Sequence, residues 1–261
     1  RANKYKAKIF MDAKGNSAAT INTLIQTYQP WAQGISIIPV GNTAAEGLTY
    51  RSTLALDTDD VGLYHNWIKI RDDYNGSLAW ISGAGSIGRR FALCSTSYDA
   101  ASPAGINEIN YGGQISDWTV VDVENYFTDA ELTSYYNAQI NPIILDESYG
   151  LMIYGDQTLQ VTNSDTSFVG TRRVYKYMIE VISNQILKKQ EFKLNDERHR
   201  LQARVQTENF IGPIQADGWI REYAVVCDDS NNTDVVLNNR QFILDVYVKI
   251  TPNSQFVTLR L

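Results

Sequence analysis

The sequence predicts a mixed α/β to α+β fold: a mixed sheet with flanking helices, followed by a C-terminal α+β domain ending in a strand. Three observations predict it. Over residues 5–40 an apolar strand, a helix-spaced segment and a second, fully apolar strand follow in turn, the order of a βαβ unit in a covered sheet. From Arg172 onward, helical periodicity comes first and the strands come after it. The chain of 261 residues then closes on an alternating apolar strand at residues 256–261. Its length suits one large or two medium domains, which we place at residues 1–160 (α/β) and 161–261 (C-terminal α+β).

Taken in order, residues 5–11 form a short strand ending on Asp12, followed by a Gly15-Asn16 turn. Ile21, Leu24, Ile25 and Tyr28 give residues 18–31 helical spacing, and residues 35–40 are the second strand. Further strands are expected at residues 52–56 and 65–70. Residues 82–118, rich in Gly, Ser, Ala and Asn, lack any period and read as a long ordered loop. Thr128 opens a helix with Glu131 as its capping-box partner, and Asn141-Pro142 stops it. Residues 143–145 and 151–154 make a hairpin. From Arg172 to Lys189 the positions Val174, Met178, Val181, Ile182, Ile186 and Leu187 are helical, closed by Lys188 and Lys189 at the negative dipole end. Asn195 caps another helix, with Leu201 and Val205 on one face. Residues 219–227 and 242–250 are strands around a polar loop at 228–233, and 256–261 is the last strand.

The net charge is −6 and the pI about 5.0, which disfavours wholesale electrostatic binding to nucleic acid. The apolar runs fall far short of the ~20 residues of a membrane-spanning helix, so no membrane insertion is expected. Residues 1–8 lead into a strand and carry no secretory signal. The chain starts at Arg1 without an initiator Met, so a missing N-terminal region is kept in view. Cys94 and Cys227 read as small buried hydrophobes of a reducing compartment rather than a disulfide or metal pair. The 16 tyrosines suit a protein with many contacts.

Enzyme chemistry is not supported. Residues 83–88, Gly-Ala-Gly-Ser-Ile-Gly, match the glycine pattern of dinucleotide sites, but residues 89–104 make a poor helix, and Glu108 has no strand before it. They read as a structural turn, with a dinucleotide-dependent oxidoreductase as the rival from another class. Asp57, Asp59, Asp60 and Gly62 resemble a calcium loop, yet Ile68 stands where a bidentate glutamate is required. His65 and His199 have no identifiable catalytic partner and read as structural. No cofactor or metal is expected.

Two features bear on interactions. Lys188, Lys189, Lys193, Arg198, Arg200 and Arg204 cluster with Arg172 and Arg173, either as a solvated helix surface balanced by nearby acids or as a patch that docks an acidic partner. The final strand carries Phe256, Val257, Leu259 and Leu261 and either pairs in its own sheet or is donated to a neighbour's edge.

An ordered set of short motifs resembles the tail sheath proteins of contractile phages. Ser82-Gly83-Ala84-Gly85, Tyr98-Asp99 and Ser102-Pro103-Ala104-Gly105 come first, then Leu132 with Tyr135 and the exit Ala138-Gln139-Ile140-Asn141. Gly155-Asp156-Gln157-Thr158-Leu159 is similar to the family's Gly-x-Arg-Thr-Leu turn, Arg172-Arg173 opens the long helix, and Phe192, Asn195, Phe210 and Gly218 fall in family order. The resemblance covers roughly residues 80–261, and the first 80 more loosely; Gln157 in place of arginine suggests a distant branch, of the phiKZ giant-phage kind. It implies a structural subunit that forms stacked six-fold rings around a tail tube and contracts to drive the tube through the host envelope. Implied partners are copies of itself, the tail tube protein, and baseplate and tail terminator proteins, in a virion tail assembled in the host cytoplasm. A type VI secretion or tailocin sheath is the rival within the class. The resemblance also favours donation of the last strand and makes the basic cluster a candidate tube contact.

Overall fold

The computed structural model describes residues 9–12, 14–28, 33–94, 102–105 and 120–251, which pack as two units dividing after Arg172. The first unit runs β1 (Ile9–Met11), α1 (Ala18–Tyr28), β2 (Gln33–Ile37), α2 (Ala44–Leu54), β3 (Val61–His65), β4 (Trp67–Arg71) and β5 (Leu78–Ser82). It continues with α3 (Ala84–Cys94), β6 (Val120–Val123), α4 (Asp129–Asn137), β7 (Ile140–Asp146) and β8 (Gly150–Ile153), and α5 (Val169–Val181) begins in it.

The main sheet has the order β1-β2-β3-β7-β8, parallel throughout except for the antiparallel hairpin β7–β8. β1, α1 and β2 are the βαβ unit that the periodicity predicts. β3 is buried along its whole length and alternates between two cores. Val61 and Leu63 face Ile21, Tyr50, Leu54 and Tyr135, while Tyr64 faces Ile35, Ile37, Phe91 and Ile143. Burial of each such side chain contributes roughly 1.5–3 kcal/mol, so this strand anchors the unit.

Beside it lies a second, antiparallel sheet in the order β5-β4-β6. The strand expected at residues 65–70 is therefore two strands, one central in each sheet. They are separated by Asn66 alone, at φ 126°. Asn is among the few non-glycine residues that tolerate positive φ, and here its buried carboxamide holds the corner. Asn66 Nδ2 donates to the carbonyls of Asn125 (2.7 Å) and Ile143 (2.9 Å), and Oδ1 accepts from the Asn125 amide (2.9 Å).

Two other expectations are corrected. Residues 52–54 belong to the helix α2, not to a strand: Thr43 and Glu46 form a capping box, and Gly47, Tyr50, Arg51 and Leu54 bury one helical face. Residues 84–94 are helical rather than loop. Burial of Ala84, Ile87 and Phe91 outweighs the low helix propensity of their Gly and Ser neighbours. The helix at Thr128 forms with its capping box as read, but it ends at Asn137, so that Ile140 opens β7.

The second unit, from Arg173, packs the rest of α5 with α6 (Glu197–Ala216), β9 (Ile220–Val226), α7 (Asp234–Asn238) and β10 (Asp245–Ile250). Its core joins Met178, Ile182 and Ile186 to Ala203, Ile211, Ile214, Val225 and Ile250. The long helix does not stay α: a π turn spans Ile182–Ile186 and a 3-10 turn Leu187–Gln190. Met178, Ile182 and Ile186 recur at strict four-residue spacing, which drifts around a helix of 3.6 residues per turn, and the wider π turn keeps all three on the core face.

His65 gives a test of the first unit's core. Its Nε2 faces the Asn42 carbonyl (3.2 Å) and its Nδ1 the Tyr135 hydroxyl, within an aromatic cluster with Phe127. Burial pushes its pKa down to about 4, the Asn42 carbonyl opposing the shift only in part. The unfolded chain therefore binds this proton first, below its ordinary pKa of about 6.5. The folded state loses about 3 kcal/mol of stability as pH falls from about 6.5 to 4. Urea unfolding between pH 7.5 and 4.5 should show this slope, and His65→Gln should remove its share; equal slopes in both proteins would refute the assignment.

Candidate assembly surfaces

Three groups of residues that the resemblance brings forward meet in space in the first unit. Asn141, on β7, is fully buried, and its Nδ2 donates to the carbonyls of Gln157 (2.8 Å) and Leu63 (3.2 Å), while its Oδ1 accepts from the Gln157 amide (2.8 Å). Gly155 lies so close that a Cβ there would stand 2.7 Å from Asn141 Oδ1. Asp156 then receives the amide of Gly170 at the start of α5 (3.2 Å), where a carboxylate suits the helix dipole. Arg172 bridges Asp59 (3.3 Å) and Asp60 (2.9 Å), so two of the three carboxylates of the calcium-like loop are engaged by a guanidinium, and the third, Asp57, accepts from the Val161 amide (2.9 Å).

Packing accounts for two of the three glycines in the pattern at residues 83–88, Gly83 and Gly88. A Cβ on Gly83 would lie 2.6 Å from Ile143 Cδ1, and one on Gly88 would overlap Met11 Sδ. A strand does precede it and a helix does follow, but among the described residues β5 pairs only with antiparallel β4, whereas a dinucleotide turn belongs to a parallel βαβ unit. Cys227 is buried as expected, and burial raises its thiol pKa to about 11; the Cys94 side chain lies outside the described residues.

In the second unit the structure separates the basic cluster into two kinds. Arg200 is 7% exposed, with Nη2 on Asp229 (2.6 Å) and Nη1 on the Asn195 carbonyl and side chain (both 3.2 Å). Asn195 donates in turn to Asn232 (3.1 Å) and to the Gln241 carbonyl (2.9 Å), and buried Asn232 exchanges hydrogen bonds with the backbone of Ile243. Arg200 thus holds the connection that sets β10 against β9. This commitment of Asn195 also explains why the helix cap is its neighbour Asp196, which accepts from the His199 amide (2.8 Å). Arg204 pairs with Glu208 one turn on (2.9 Å). Lys188, Lys189, Lys193 and Arg198 face solvent.

β9 and β10 form a two-stranded antiparallel sheet, with Tyr247 opposite Ala224 and Lys249 opposite Glu222. Its inner face covers α6 through Tyr223, Val225, Val246 and Val248. Among the described residues each strand pairs only with the other, so each has one edge of backbone donors and acceptors without a strand partner. Thr251 ties the end of β10 back to Trp219 (2.9 Å) and Gly218 (2.6 Å). Phe256, Val257, Leu259 and Leu261 lie outside the described residues.

Sequence reasoning missed a further surface, formed by Phe192 and Leu194, 106% and 74% exposed. The available signal was two apolar residues between charged and polar ones, in a segment with no helical or strand period.

No family model matches the chain. It is 29% identical over 243 residues to the tail sheath protein of Vibrio phage KVP40, covering 91% of this chain and 33% of that protein. It is also 29% identical over 192 residues to the tail sheath protein of Enterobacteria phage T4, covering 72% of this chain and 28% of that protein. Among solved structures, the PVC sheath complex of an extracellular contractile injection system in its contracted state superposes with a TM-score of 0.81. There the identity is 16%, over 98% of this chain and 71% of that one. The contracted helical sheath of the anti-feeding prophage gives 0.78 at 14% identity, over 99% and 71%. The chain is therefore similar to tail sheath proteins along most of its length and has the mixed-sheet fold of contractile sheaths. It spans about a third of the length of the curated relatives it matches.

Proposed function

We propose that this chain is a structural subunit of a contractile tail sheath, which polymerises with copies of itself as stacked six-fold rings around a tail tube and contracts to drive the tube through the host envelope. The observation that carries this reading is the β9–β10 pair. Two strands alone are marginal in water, and an open edge is a template for a further strand. The apolar segment bearing Phe256, Val257, Leu259 and Leu261 is suited to such an edge on a neighbouring copy. The similarity to phage tail sheath proteins supports the same reading, that of a structural protein of a virion tail.

Within this reading, residues 161–261 form the tube-facing domain, and Lys188, Lys189, Lys193 and Arg198 are its candidate contacts with a tail tube. Arg200 and Arg204 act instead through the pairs they make inside the unit. Baseplate and tail terminator proteins are the further partners, and neither nucleic acid nor a membrane is required. Among the described residues, no helix is long and apolar enough to cross a membrane.

Electron microscopy of the protein purified at full length tests this directly. Rings that stack into tubes of uniform diameter are the expected result. A protein that stays monomeric at every concentration, or that binds nicotinamide or flavin cofactors at micromolar levels, would overturn it.

A further inference from the structure

Phe192 is an unusual residue to leave in water. Its backbone sits at φ 62°, a conformation that costs a bulky side chain energy, and its ring is wholly exposed. The turn is nonetheless fixed, because the Lys193 amide donates to the Gln190 carbonyl (3.1 Å) at the end of the 3-10 turn. Leu194 stands exposed beside it in sequence, and Lys188, Lys189 and Lys193 flank it. The result is a knob with an aromatic tip and a collar of three lysines and one acid, Glu191, basic on balance. Strained backbone persists where something else rewards it, and among the described residues nothing within this unit covers the ring.

The first unit carries a socket of the opposite kind. An open pocket of about 290 Å³ is walled by Leu132 and Tyr136 of α4 and by Tyr154, over a floor of Ile140 and Pro142. Asp129, solvent-exposed, is the one charged residue among the described residues that line it. Both tyrosines present their rings to solvent, 38% exposed for Tyr136 and 51% for Tyr154. Aromatic walls of this kind favour tilted packing against another ring, and buried aromatic anchors carry most of the energy of protein interfaces.

We propose that the Phe192 knob of one copy seats in the Leu132–Tyr136–Tyr154 socket of a second copy, with the lysine collar facing Asp129. This contact rests on the sheath reading and names one interface within it. The occupant is a second copy because patches of complementary charge occur on one chain. The basic, apolar knob and the acid-bordered, apolar socket are two different patches, so every copy offers both. Such a contact joins two different patches, so it can repeat from copy to copy into rings or helices.

Oxidative cross-linking tests it. Purified Phe192→Cys is mixed with Tyr154→Cys, and the products are mapped by mass spectrometry. A heterodimer joining those two positions is expected, formed at least ~10-fold faster than with Tyr74→Cys, an exposed site that does not line the socket. Mixed variants that link no faster than this control, or links that map to another surface or another protein, would overturn the contact. Phe192→Ala should raise the concentration needed for assembly by ~10-fold or more while the monomer melts as before; unchanged assembly would also overturn it. The cross-link and the micrographs are read separately. Assemblies without the cross-link remove this contact and leave the sheath reading, whereas the cross-link without assemblies removes the sheath reading.

Discussion

Deletion of residues 256–261 is expected to leave both units folded and to abolish assembly. The described residues build three buried cores of their own. The second unit is held by α5, α6 and the inner face of β9–β10, with Ile211, Ile214, Val225 and Ile250 buried. What the segment would contribute is pairing to an edge, through main-chain hydrogen bonds whose loss in every copy removes the same link throughout a polymer. Far-ultraviolet circular dichroism and a thermal melt should match the intact protein within a few degrees, while rings and tubes disappear from micrographs. A shortened protein that cannot fold would show that the strand completes its own sheet.

Asn141→Ala should be the most destabilising single change in the first unit, at about 3–5 kcal/mol. The side chain is fully buried and satisfies three backbone groups, the Gln157 amide and the carbonyls of Gln157 and Leu63. Alanine would leave those groups without partners in a region closed to water, and Gly155 packs too tightly against the site to admit replacement atoms freely. Gln157→Ala is the control, since those bonds reach its backbone alone; it should cost under about 1 kcal/mol. Equal losses in the two variants, measured by urea unfolding, would mean that the carboxamide is not what holds the turn.

The parts of the fold that could be read from sequence were those in which periodicity and local chemistry agree. The βαβ start, the Thr128–Glu131 cap, the β7–β8 hairpin and the helix through Met178 and Ile182 are of this kind. α2 carries the same local signal, Thr43 with Glu46 and then Gly47, Tyr50 and Leu54, but its Ser and Thr content hid it. α3 has no such signal: only the burial of Ile87 and Phe91 makes that glycine-rich segment helical, and burial is a property of the partners. The candidate surfaces divide similarly. Arg198 and Arg200 look alike in the sequence, yet one faces solvent and the other is buried against Asp229, because two residues on a helix stand about 200° apart. Resemblance located Asn141 and Gln157, while the hydrogen bonds between them give the physical reason why both belong to one pattern.

Asn66 has a mechanical consequence. β3 is the central strand of the five-stranded sheet and β4 that of the three-stranded one, and this single residue is the whole of the chain between them. There is no slack to take up strain. Where β3 runs into β4, a pull on either sheet reaches the other through one residue, held by three hydrogen bonds to Asn125 and Ile143. Under the sheath reading proposed above, a junction without slack suits a subunit that passes a thrust along a stack rather than absorbing it.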